Sequence, residues 1–135
     1  MILVAYPYAR EGDYTIPEGI KRIGESAFFR CDALSGITIP DTVTEIGDFA
    51  FITCGSLINV TIPGSVKTIG VCAFSTCTDL ESVTIQDGVK GIKDLNFYLA
   101  GDGGVSFGIF FRKQFESAVS AFAAYDLVSE PILRP

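Results

Sequence analysis

A spacing of 23 residues recurs through most of this chain and constrains its fold more than any other feature. Three blocks begin with an Ile-Pro pair and end on a cysteine, over residues 16–31, 39–54 and 62–77, and Ile85 opens a fourth block. Other positions keep the same step: Ile23, Ile46, Ile69 and Ile92; Ala27, Ala50 and Ala73; Phe28, Phe51, Phe74 and Phe97. Agreement of so many columns at one period predicts a solenoid, in which each coil packs on its neighbours.

The apolar positions within one block predict how a single coil is built. Leu57, Val60 and Ile62 end in an alternation that suits a short strand with one buried face. Pro63 ends this strand because it cannot donate a hydrogen bond to a ladder. Gly70 permits either a positive φ or a close approach of two backbones. Acidic residues directly after the glycine in the first two blocks suit the first turn of a short helix or 3₁₀ segment.

Stacking of equivalent strands predicts an α/β solenoid of 23-residue coils. We expect a parallel sheet on one face and short helical or irregular segments on the other. The strands should centre near residues 14–16, 37–39, 60–62 and 83–85. Phe28, Phe51 and Phe74 should be buried in one column between these strands.

The repeat pattern weakens in the fourth block. Gln86, Lys93, Asn96 and Ala100 stand where the earlier blocks have proline, glycine, alanine and cysteine, and Phe97 alone keeps its column. Further on, apolar residues follow helical spacing at Phe111, Phe115, Ala118, Val119 and Phe122. We therefore predict one domain in three parts: a partial N-terminal coil or cap over 1–13, repeats over 14–99, and a non-repeat C-terminal cap with a helix over 100–135.

Charge and composition exclude several classes of function. Ten Lys and Arg against sixteen Asp and Glu give a net charge of −6, so nucleic acid is not an expected partner unless the basic groups cluster on one face. The chain has no histidine, which removes the commonest general base and the His-containing zinc sites. No stretch approaches the roughly 18 apolar residues that span a bilayer, and the first residues lack the basic region of a signal peptide. We expect no cofactor.

The four cysteines favour structure over chemistry. Cys31, Cys54 and Cys77 share one repeat column, and no C-x-x-C pair is present, so a metal site is not expected. Three stacked thiols cannot all pair with one another, and small buried hydrophobic side chains are the predicted role. Cys72 lies outside the column and should be the most reactive of the four if it is exposed.

The combined pattern I-P-x-x-V-x-x-I-G-x-x-A-F-x-x-C-x-x-L-x-x-V-x-I, as in residues 39–62, resembles the BspA-like leucine-rich repeat of bacterial and protist surface proteins. The likeness covers residues 14 to about 92. It implies a horseshoe-like leucine-rich-repeat solenoid, an extracellular or cell-surface location, and adhesion to or binding of host proteins. It does not identify the partner.

The outward face of the predicted strands is the best candidate site. Threonine forms an unbroken column, and a second polar column lies beside it; the candidate binding residues are Asp13, Thr15, Thr38, Asn59, Thr61, Ser82 and Thr84. Both columns alternate with inward Ile and Val, so they should face outward. Threonine also suits any half-exposed pleated surface, which explains the column without a ligand.

Two classes of function remain open. The first is a non-enzymatic binding or adhesion module whose exposed face contacts a protein or glycan, with extracellular host molecules among the candidates. The second is a structural spacer or fragment of a longer repeat array. An enzyme has no supporting constellation. Because the first strand has no complete coil before it, a homodimer through that strand is a further hypothesis, with upstream continuation of the solenoid in a longer chain as the alternative.

Overall fold

The computed structural model describes residues 1–7, 9–94, 96–98, 100–101 and 106–109, the last four by their backbone alone. Within these residues, the chain forms ten strands. In chain order they are β1 Ile2–Leu3, β2 Gly12–Thr15, β3 Arg22–Ile23, β4 Leu34–Thr38, β5 Glu45–Ile46, β6 Asn59–Ile62, β7 Thr68–Ile69, β8 Ser82–Ile85, β9 Gly91–Ile92 and β10 Ser106–Ile109.

The strands form two parallel sheets, one on each of two sides of the coils. The main sheet has the order β10-β8-β6-β4-β2, and the narrow sheet, made of two-residue strands, has the order β1-β3-β5-β7-β9. Most paired residues are 23 positions apart, as in Asn59 with Ser82 and Thr68 with Gly91. The offset differs at the two ends, where Ile2 pairs with Arg22 and Ser106 pairs with Ser82. The four predicted strands of the main sheet are therefore confirmed as parallel, and their centres lie within two residues of the expected ones.

The core is a set of columns that run along the solenoid between the two sheets. Phe28, Phe51, Phe74 and Phe97 are fully buried, as predicted for the first three. Their rings stack nearly parallel with centroids 4.7, 5.0 and 5.6 Å apart. Tyr6 continues the stack at the N-terminal end, 5.0 Å from Phe28. A coil cannot bury these rings alone, so the stack ties the stability of each coil to its neighbours.

A glycine follows each of β3, β5 and β7 and lets adjacent coils approach closely. A Cβ on Gly47 would lie 2.8 Å from the backbone nitrogen of Glu25, and one on Gly70 would lie 2.5 Å from that of Asp48. Neither glycine has a positive φ. Of the two roles that the sequence allowed for this column, close approach is the one that the structure requires.

The expected helical segments are wrong for the described residues, which contain no helix. The chain between the narrow and main strands forms successive turns. In each of the first three coils two of these residues have positive φ, which is 59° at Phe49 and 63° at Thr53 in the second coil. These left-handed residues break the helical path. The freed N–H groups donate to carbonyls of the next coil, from Phe49 to Val71 at 2.8 Å, from Phe51 to Ala73 at 2.7 Å and from Thr53 to Ser75 at 2.9 Å.

The two ends of the solenoid differ from a regular coil. At the N-terminal end, β1 pairs with β3 and the Tyr6 amide donates to the Ala27 carbonyl, so residues 1–7 pack on the narrow sheet and the ring stack. At the other end, β10 pairs in register with β8 and adds a fifth strand to the main sheet. The predicted helix over 111–122 lies outside the described residues. The division into segments 1–13, 14–99 and 100–135 stays a prediction.

Candidate functional site

The candidate site is the outward face of the main sheet, and the pairing of the strands places the predicted residues on it in two columns. Thr15 pairs with Thr38, and Thr61 pairs with Thr84. Gly36 of β4 pairs with Asn59 of β6, so all four strands share one register and Thr38 lies beside Thr61. Adjacent threonines are therefore one strand spacing apart, about 4.8 Å.

Exposure follows the predicted alternation along the strands. Thr15, Thr38 and Thr61 are exposed and Thr84 is half-buried, whereas the residues between them in the later strands, Val60 and Val83, are buried. None of the four threonine hydroxyls bonds to another described residue, so the column presents free donors and acceptors to solvent.

Side chains in and beside the second polar column are hydrogen-bonded to one another. The Ser82 hydroxyl donates to Asn59 Oδ1 at 2.5 Å, and the Ser35 hydroxyl donates to Asp13 Oδ1 at 3.0 Å. The Asp13 carboxylate lies over Gly36, where a Cβ would come within 2.6 Å of Asp13 Oδ1. These bonds hold the side chains of Asp13 and Asn59 in place next to the threonine column.

Ser35 belongs to this face, although sequence reasoning did not single it out. The pairing of β2 with β4 shifts register between Gly12 and Asp13, which leaves Ser35 as the extra residue of a bulge. The offset between Asp13 and Ser35 is 22 residues and not 23. A constant step of 23 residues therefore does not align them, and no signal in the repeat indicates the bulge.

The cysteines do not form a reactive site. Cys31, Cys54 and Cys77 are free and fully buried, which confirms their predicted burial. The thiols of Cys54 and Cys77 donate to the carbonyls of Phe28 and Phe51 at 3.1 and 3.2 Å. Among the described residues there is no group of three or more side chains of the metal-ligating types.

The pKa values of Cys31, Cys54 and Cys72 agree with a structural role. The Cys54 thiol and burial raise the pKa of Cys31 above its ordinary value. The pKa of Cys54 is lowered by its contact with Cys31, but the Cys77 thiol and burial outweigh this, so the net direction is upward. Cys72 is half-buried, and burial together with the nearby Asp48 carboxylate raises its pKa as well. A raised pKa leaves less of the reactive thiolate.

Coils joined by backbone hydrogen bonds on the sheets and turns, and packed around one stack of rings, define a repeat protein of the solenoid class. The sequence of the coils makes this assignment specific. A family model described as "BspA type Leucine rich repeat region (6 copies)" matches residues 8–102. The chain therefore belongs to the BspA-type leucine-rich-repeat family, and the resemblance seen in the sequence is confirmed.

Solved structures of bacterial proteins share the fold. A leucine-rich cell surface protein from Faecalibacterium prausnitzii A2-165 matches with a TM-score of 0.73 at 23% identity, over 98% of this chain and 39% of that chain. A leucine-rich repeat protein from Bacteroides ovatus ATCC 8483 matches with a TM-score of 0.62 at 26% identity, over 80% of this chain and 35% of that chain. The chain thus corresponds to less than half the length of either protein. No curated protein matches it significantly.

Proposed function

We propose that this chain is a non-enzymatic binding or adhesion module of a cell-surface protein, and that the outward face of the main sheet contacts a protein or glycan partner. The observation that carries the proposal is the row of threonine hydroxyls, which lie in register on paired strands and have no partner among the described residues. Solenoids use such extended faces for binding because each coil repeats the same contact.

The surface location and the absence of enzymatic activity rest on the family. BspA-type repeats are found in surface proteins, and the Faecalibacterium prausnitzii relative of the same fold is described as a cell surface protein. Leucine-rich repeats are generally not catalytic. No helix in the described part of the chain is long and apolar enough to cross a membrane.

The test is binding to immobilised extracellular-matrix proteins and to glycans, compared between matched variants. Thr38→Val with Thr61→Val keeps the shape and strand preference of the side chains but removes two hydroxyls from the face. Thr68→Val is the control, because Thr68 is also exposed on a strand but belongs to the narrow sheet. Loss of two hydrogen bonds should weaken binding about tenfold, and the control should bind normally.

Two results would contradict the proposal. Absence of binding to every protein and glycan would favour the alternative, a structural spacer within a longer array. Equal weakening by the double variant and by Thr68→Val would show that the partner does not use the main-sheet face.

We also propose that the isolated chain forms a homodimer through β2. This strand is the last described strand at its end of the main sheet. The Gly12 amide donates to the Ala33 carbonyl, and the Ile16 amide donates to the Thr38 carbonyl of β4. Asp13 and Thr15 alternate with these residues along β2, so their main-chain groups face the open edge. Light scattering at rising concentration should show a dimer that Thr15→Pro converts to a monomer, since proline removes an outward donor. A wild-type monomer at all concentrations would contradict the dimer.

A further inference from the structure

Most of the positively charged side chains among the described residues lie on one surface. The described residues include seven Lys and Arg, and all except Arg10 and Arg30 lie in or beside the strands of the narrow sheet: Lys21, Arg22, Lys67, Lys90 and Lys93. All five are exposed. The strands β2, β4, β6 and β8 of the main sheet carry no Lys or Arg. The two sheets therefore present surfaces of different chemistry.

Backbone hydrogen bonds hold the lysines in one line along the solenoid. The Thr44 amide donates to the Lys21 carbonyl at 2.8 Å, the Lys67 amide to the Thr44 carbonyl at 2.8 Å, and the Lys90 amide to the Lys67 carbonyl at 2.9 Å. We call these four residues the lysine row. Adjacent members are one coil apart, about 4.8 Å, so Lys67 and Lys90 are neighbours and Lys21 lies about 10 Å from Lys67.

The ammonium groups of the row are not neutralised by described carboxylates. The ion pair in the described part of the chain joins Arg22 Nε to Glu45 Oε2 at 3.3 Å, and it lies in the column next to the row. The carboxylate of Asp48 accepts a hydrogen bond from the Val71 amide at 2.8 Å. Lys21, Lys67 and Lys90 are thus available to an external anion.

Acidic turns limit the width of this basic surface. Before the narrow strands, the turns contain Glu18, Asp41 and Asp87, and after them come Glu25, Asp48 and Asp94. A broad polyanion such as duplex DNA would bring its charges against these carboxylates. A single thin chain laid along the row would meet lysines in three of the four coils, with its other sides free.

We propose that the lysine row binds an anionic polysaccharide, sulfated or carboxylated, whose chain runs parallel to the solenoid axis. Each lysine contacts one negative group as a point charge on a flexible stem, which tolerates the varied spacing of such groups along a sugar chain. This site is separate from the main-sheet face, so the chain would contact two kinds of partner on its two sheets.

The experiment measures binding of heparin, a sulfated probe, and of polygalacturonate, a carboxylated probe, with neutral dextran as the blank. Lys67→Gln with Lys90→Gln should weaken binding about tenfold at low salt. Arg10→Gln with Arg30→Gln makes the same change in net charge away from the row and should change the affinity less than twofold. Wild-type binding should fall steeply as salt is raised. Binding of heparin alone would assign the row to sulfated chains, and binding of both probes to negative charge in general.

Three outcomes would overturn the proposal. They are no binding of either probe by the wild type, equal losses in the two double variants, and binding of duplex DNA as tight as that of the polysaccharides. Thr38→Val with Thr61→Val should leave heparin binding unchanged, so failure at one sheet is distinguishable from failure at the other. Thermal unfolding of each variant confirms that a lost signal does not arise from a lost fold.

Discussion

The second and fourth coils share the phenylalanine column but differ in what surrounds it. Phe51 stacks between two rings, at 4.7 and 5.0 Å, with an alanine before it and a cysteine three residues after it. Phe97 lies 5.6 Å from Phe74, and its coil has Asn96 and Ala100 in those two positions. The ring column therefore tolerates changes at its flanks, because stacking needs only the ring and the coil spacing.

Asn96 forms a hydrogen bond between coils where the first two coils have one within the coil. In the first two coils the alanine amide closes a turn, as Ala50 does on the Gly47 carbonyl at 3.3 Å. In the fourth coil, the Asn96 side chain reaches back to the third coil, and Nδ2 donates to the Gly70 carbonyl at 2.6 Å. Asn96 Oδ1 is buried without a hydrogen-bond partner among the described residues. The fourth coil thus carries a polar cost at a position where the regular coils have an alanine.

The largest expected effect concerns the ring column. Phe51→Ala should lower the free energy of unfolding by about 3–5 kcal/mol, because it leaves a cavity between two rings. Phe97→Ala should cost about 1 kcal/mol less, since the Phe97 ring stacks on Phe74 at the wider spacing of 5.6 Å. Urea denaturation of both variants measures the difference. An equal or larger loss for Phe97→Ala would show that the fourth coil is as tightly packed as the second.

The next effect concerns the buried amide of the fourth coil. Asn96→Asp should lower the free energy of unfolding by about 3 kcal/mol at neutral pH, because a buried carboxylate would face the Gly70 carbonyl without a counter-charge. The loss should shrink as the pH falls, since a protonated carboxyl can donate to that carbonyl. Asn96→Ala, which copies the regular coils, is the control and should cost less. A loss that does not vary with pH would argue against the role of the Nδ2 bond.

A third, smaller effect is a loss of stability at alkaline pH, and it arises from the cysteine column. The pKa values of Cys31 and Cys54 are raised in the folded chain above their ordinary 9.0. The contribution of these thiols to the free energy of unfolding is therefore fully present below pH 9 and falls as the pH rises, because the unfolded thiols ionise there and the folded ones do not. The slope of this fall approaches about 1.4 kcal/mol per pH unit for each thiol. Cys54→Ala, which copies Ala100 into the second coil, should flatten this slope. An unchanged slope would mean that Cys54 ionises in the folded state.

The smallest effect restores the regular column in the fourth coil. Ala100→Cys should raise the free energy of unfolding by about 0.5 kcal/mol, because its thiol can donate to the Phe74 carbonyl as Cys77 donates to that of Phe51. Chemical denaturation with and without a reductant measures this gain and excludes oxidation as its cause. Destabilisation would show that the fourth coil has too little room for the sulfur atom.

The repeat in the sequence predicted the features that are formed by equivalent residues of successive coils. Equivalent residues of a solenoid lie one coil apart, so a 23-residue step in the sequence is a step of one strand in space. This is why the main strands, the buried rings and the buried cysteines were predictable, and why Thr15, Thr38, Thr61 and Thr84 could be placed together on one face. The lysine row has the same signal in the sequence, at Lys21, Lys67 and Lys90. It stood out only when the narrow sheet placed these residues in one line.

The amino-acid sequence by itself determined the period, the coil count within the repeats and the choice of inward and outward residues, because burial follows side-chain chemistry. Only the tertiary structure decided how the backbone crosses between the sheets. Turns with left-handed residues at Phe49 and Thr53 won over short helices, because their N–H groups find carbonyls on the next coil. The pairing of β10 with β8 and the bond from Asn96 to Gly70 were decided in the same way. Such hydrogen bonds join backbone groups or residues far apart in the chain, and no single residue type in the sequence predicts them.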